Sequence, residues 1–121
     1  MIRNIRDILK EIELHDSSLL SLTMYGNGSL EMLLDFDEVW NQALDSSVRG
    51  LLITSVYEIS NFKIDRLNII GSVDLQDVDD YDKSFLTHKS NEPEKVVSLY
   101  IEFVAGGSLS VICSGEAAYL L

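Results

Sequence analysis

The stretch LSLTMYGNGSLEMLLDF, residues 20–36, decides the fold. Leu20, Leu22 and Met24 alternate with Ser21, Thr23 and Tyr25. After Gly26-Asn27-Gly28 a second alternation sets Leu30, Met32, Leu34 and Phe36 against Glu31, Asp35 and Asp37. Period-two alternation on both sides of a glycine turn predicts a β-hairpin with one buried face. Asn27-Gly28 suits a two-residue turn, but that register sets Leu22 opposite Leu33 and Leu20 opposite Asp35. A three-residue loop over 26–28 instead pairs Met24 with Leu30, Leu22 with Met32 and Leu20 with Leu34. A one-residue slip turns every side chain to the other face, so the apolar pattern selects the three-residue loop, with a glycine at its left-handed position.

The C-terminal end reads the same way. Val97, Leu99, Ile101 and Phe103 share a face, Ala105-Gly106-Gly107 turns, and Leu109, Val111 and Cys113 follow. A three-residue loop predicts the pairs Phe103–Leu109, Ile101–Val111 and Leu99–Cys113. Both turns run into Ser-Leu (GNGSL and AGGSL), which is shared turn chemistry and not a repeat.

Outward from the hairpins, VRGLLITSVYEI (48–59) is rich in β-branched and aromatic residues and reads as one buried strand, with a further strand over 62–73. Residues 74–95 hold the only proline, Pro93, and read as a polar crossing in which Val78, Tyr81 and Phe85 give one or two helical turns. At the N-terminus Ile2, Ile5, Leu9 and Ile12 recur at three- and four-residue steps and predict a helix over 2–13. The expected fold is α+β in a single domain, 1–121: a helix packed on a mostly antiparallel sheet of about six strands.

Composition bounds the function. Of 121 residues, 46% are hydrophobic and 24% charged, the balance of an ordinary globular protein. Cys113 is the only cysteine, so no intrachain disulfide forms. The N-terminus has no apolar signal core, and no run approaches the ~18 apolar residues of a membrane span. A cytoplasmic location is expected. Charge is the one extreme: twenty acids against nine bases give −11. A field of that sign repels nucleic-acid phosphates and anionic lipid and attracts basic partners.

Few motifs carry chemistry. His15-Asp16-Ser17 has the residue types of a nucleophile, base and orienter, but triad members converge from different segments. The turn-forming reading covers each of the three. Two histidines, His15 and His88, and one cysteine show no close ligand spacing. Counted from Asp77, the acids of 77–82 miss the calcium-loop pattern, with Tyr81 at position 5 and Asp82 at position 6. Cys113 falls on an inward face. No catalytic residue, metal or cofactor is assigned.

What remains is surface. From Glu31 to Asp45 there are five acids and no base, and the only tryptophan, Trp40, sits among them. Residues 74–94 add a second acidic run around Tyr81. Aromatic anchors supply contact energy and charges speed encounter. Asp35, Asp37, Glu38, Trp40, Asp79, Asp80, Tyr81 and Asp82 are therefore the candidate residues for binding a basic protein partner. A pocket between helix and sheet, with His15 and Asp16 as its nearest polar groups, is the alternative: a small-ligand binder or minor hydrolase. Homo-oligomer formation through an exposed edge strand is a third reading.

A short helix, Leu-His-Asp-Ser at a strand start, a glycine-turn hairpin and a closing Gly-Ser-Leu hairpin resemble small bacterial proteins of the immunity type from polymorphic toxin systems. The resemblance covers 10–37 and 96–116. It implies an intracellular antidote that binds and blocks one toxin, often a basic nuclease, and carries over no site residues.

Overall fold

Asn4 begins the first element by accepting the Arg6 backbone N–H on its side-chain oxygen at 2.8 Å, an N-cap that satisfies one orphan donor. Helix α1 (Ile5–Glu11) buries Ile5 and Ile8. It is shorter than 2–13 because Ile12 is already extended and Arg3 pairs with Ala118 as an isolated bridge. The computed structural model describes residues 2–82 and 95–121, so Phe85, His88 and Pro93 lie outside the described residues.

The strands are β1 (Ser18–Met24), β2 (Leu30–Asp35), β3 (Gly50–Ile53), β4 (Val56–Ile64), β5 (Ile70–Val78), β6 (Val96–Phe103), β7 (Gly107–Ser114) and β8 (Ala118–Leu120). They form two antiparallel four-stranded sheets, ordered β1-β2-β3-β8 and β4-β7-β6-β5. The α+β class stands, with two sheets in place of one of about six strands. The reason lies at Thr54-Ser55, inside the segment that reads as one strand. Thr54 N–H donates to Ala117 O at 2.8 Å and Ser114 N–H to Ser55 O at 2.9 Å. The β3–β8 pair thus continues around a corner as the β4–β7 pair, and both strands change sheet there. The predicted 62–73 strand divides likewise: 62–64 end β4 and β5 begins at Ile70. Residues 74–78 are strand, not loop or helix, and pair with Val96–Tyr100.

The first hairpin has the expected register at its tip, with Met24 opposite Leu30 and Leu22 opposite Met32. Gly28 holds φ 87° in the loop. Below that the register shifts between Leu19 and Ser21, so Leu19 and not Leu20 opposes Leu34. An extra residue in one strand reverses its faces, leaving Leu19 buried and Leu20 62% exposed. The second hairpin pairs Ile101 with Leu109, Leu99 with Val111 and Val97 with Cys113, two residues from expectation. A slip of two preserves which side chains face inward, so alternation could not detect it. One hydrophobic cluster takes Ile5, Ile8 and Ile12 from the N-terminal region, Met32, Leu34, Leu51 and Ile53 from one sheet, and Leu99, Ile101, Leu109 and Val111 from the other. Each such side chain contributes about 1.5–3 kcal/mol by burial.

Candidate partner-binding surface

The chain leaves α1 through a turn that organises the surface beyond it. Asp16 takes φ 65°, a left-handed conformation that Asp tolerates better than most residues. Its N–H donates to Ile70 O at the start of β5, 2.8 Å away. Ser17 is fully buried: its hydroxyl donates to Glu13 O at 3.3 Å and accepts the Asp37 N–H at 3.0 Å. Asn41 reinforces the clasp, accepting the Glu13 N–H at 2.8 Å and donating to Glu13 O at 2.9 Å. Segment 36–49 is thereby pinned to the 13–17 turn.

Trp40 stands on that clasp. Asp37 Oδ1 accepts the backbone N–H groups of Val39 (3.0 Å) and Trp40 (3.1 Å), fixing the local turn. The indole N–H donates to Asp16 Oδ2 at 3.1 Å, and the His15 ring meets the indole edge-on at 5.8 Å and 74°. His15 Nδ1 is 3.3 Å from the same Asp16 oxygen. The adjacent His15 and Asp16 side chains meet here, but Ser17 is turned inward onto backbone groups, so the three do not converge. Trp40 remains 56% exposed and Val39 70% exposed. An immobilised, exposed indole is a contact group that loses little freedom on binding.

The predicted acids separate into two places. Asp35 and Glu38 are exposed within five residues of Trp40 in the chain, while Asp37 is half-buried with its carboxylate engaged in the turn. With Asp45 and Arg49 they border a concavity of about 370 Å³ floored by Phe36, Leu44 and Val48. The Ser47 backbone N–H holds the Asp45 carboxyl below its ordinary range. At the other place Asp79, Asp80 and Asp82 are exposed. Tyr81 is half-buried and stacks on Tyr57 at 5.9 Å, its hydroxyl donating to Glu58 at 3.1 Å. Burial, then the Glu58 hydrogen bond, pushes its hydroxyl pKa up. Tyr81 is thus engaged with β4. Asp16 meets the first residue of β5 and Asp79 follows its last, so the two patches lie about 26 Å apart along that strand. They are not one contiguous cluster.

A cleft of about 250 Å³ does lie between helix and sheet, but its polar lining is Arg6, Lys10 and Glu13, not His15 or Asp16. Its apolar lining includes Leu9, Val73 and Leu75. Sequence reasoning missed Ser17, Asn41 and Asp16 as the supports of Trp40, because no local pattern marks contacts between segments twenty or more residues apart. Among the described residues, no group of three or more His, Cys, Asp or Glu side chains is arranged to hold a metal ion, and no helix is long and apolar enough to cross a membrane. Comparison with protein-family models, with curated proteins and with solved structures finds no match.

Proposed function

We propose that the chain is an acidic protein-binding module acting in the cytoplasm, whose principal contact is Trp40, supported by the exposed acids Asp35 and Glu38 of the same segment. The observation that carries this reading is the indole held at 3.1 Å by Asp16 while more than half its surface stays open. The net charge of −11 and these acids favour a basic partner. Together with the resemblance of 10–37 and 96–116 to immunity proteins, this supports an antidote that binds and blocks a basic toxin. Affinity capture from lysate of the source cells, with wild-type protein and Trp40→Ala at low and high salt, tests it. A basic protein retained by wild type at low salt, and lost with Trp40→Ala, supports the reading. Equal retention by both proteins, or indifference to salt, overturns it.

The α1–β5 cleft supports a second reading, a small-ligand binder or minor hydrolase. A thermal-shift screen against metabolites and metal ions tests this, and an unmoved melting curve argues it down.

A further inference from the structure

The four edge strands of the two sheets are protected unequally. Arg3 covers β8, exchanging backbone hydrogen bonds of 2.8 and 3.1 Å with Ala118. β1 is broken by its bulge, and β4 carries two register breaks and a left-handed Asn61. Such irregularities keep edges from pairing with other chains. β5 is regular from Ser72 to Val78. Among the described residues, only its start makes outward backbone hydrogen bonds: Ile70 N–H donates to Ser17 O, and Ile70 O accepts from Asp16, both at 2.8 Å. Ile70 therefore points its backbone groups away from β6. Alternation past the irregularity at Gly71 turns those of Val73, Leu75 and Asp77 to the same outer side. Among the described residues, no backbone hydrogen bond links these three to a segment beyond that edge.

The cleft against α1 runs beside this edge, its apolar lining made of Leu9, Ile12, Leu14, Val73 and Leu75. Arg6 answers Asp77 at 2.8 Å at one end. On the other face of the strand Asp74 is exposed and accepts a Gln76 amide bond at 2.8 Å, and Asp79 and Asp80 continue the negative charge.

We propose that the β5 edge from Val73 to Asp77 docks an extended segment of a partner protein whose side chains alternate apolar and basic. Its backbone pairs with Val73, Leu75 and Asp77, its apolar side chains enter the cleft, and its basic ones meet Asp74. The edge runs from the Trp40 surface to the Asp79-Asp80 turn, so such a strand joins the two patches into one interface. The inference rests on the protein-binding reading but uses a separate surface.

The test is amide hydrogen exchange and methyl chemical shifts on the whole chain, with a capped heptapeptide of alternating valine and lysine as probe. At saturation the Val73, Leu75 and Asp77 amides slow by about tenfold or more, and the Leu9, Val73 and Leu75 methyls shift. A valine–glutamate peptide and an N-methylated version have no effect. Asp74→Lys, an exposed change that leaves the fold intact, weakens the peptide about fivefold or more. Peptide binding is read at the β5 amides and the Leu9 methyls, and the capture experiment above reads Trp40, so either reading can fail while the other stands. Unaltered amides at millimolar peptide overturn the proposal. Protection that follows protein concentration without peptide overturns it in favour of a second copy. An equally effective N-methylated peptide overturns it in favour of simple cleft filling.

Discussion

The Trp40 indole donates to the Asp16 carboxylate at 3.1 Å across 24 residues of chain, and Asp16 itself sits at φ 65°. One residue thus makes the turn that ends the N-terminal region and also fixes the most exposed large aromatic side chain among the described residues.

The two roles of Asp16 can be separated by substitution. Asp16→Gly relieves the left-handed backbone, worth about 1 kcal/mol, while removing the indole partner. Asp16→Ala loses both. Chemical denaturation is expected to show Asp16→Gly near wild type and Asp16→Ala about 1 kcal/mol less stable. Both variants raise acrylamide quenching of the single tryptophan, and Asp16→Asn does so least.

Ser17→Ala removes the hydroxyl between Glu13 O and the Asp37 N–H, leaving a buried donor unpaired. A loss of about 1–3 kcal/mol follows. The 36–49 segment loosens with it, so its amides exchange faster than those of β6 and β7.

Gly50 faces Leu33 across the β2–β3 pair, and a Cβ there collides with the Met32 carbonyl oxygen. Gly50→Ala is expected to cost about 3 kcal/mol or more, since backbone cannot give way as a side-chain tip can. Gly26→Ala, with nothing near its Cβ, stays within about 0.5 kcal/mol of wild type in the same urea titration.

Burial pushes the Cys113 thiol up to about 12 from 9.0. The folded chain then keeps this proton where the unfolded chain has lost it. Stability is unaffected by this group below pH 9 and falls as pH rises from about 9 to about 12. Tyr25, raised first by its bond to Glu31, and Tyr81, raised first by burial, act in the same direction in alkali. Denaturation midpoints across this range check the slope. A thiol reagent at pH 8 should leave the native chain unmodified and titrate one thiol in denaturant.

The alternating pattern on its own established that strands flank both glycine turns, that the surface is acidic, and which faces of β2, β6 and β7 go inward; in β1 it failed, since Leu20 and Met24 are 62% and 50% exposed. Met32, Leu34, Leu99, Ile101, Leu109 and Val111 are buried as their spacing predicts. Alternation is local and repeats every two residues, so it is blind to a slip of two, as at Ile101–Leu109, and to an added residue, as at Leu20. It is equally blind to a bend in a continuous apolar run. The corner at Thr54-Ser55 exists because Ala117 and Ser114 bond there from a distant part of the chain. The same holds at the surface: acids and aromatics near one another in sequence marked two candidate patches. Tertiary contacts alone left Trp40 open on Asp16, turned Tyr81 onto Glu58, and set the two about a strand's length apart. Those outcomes depend on hydrogen bonds between segments that no periodicity relates.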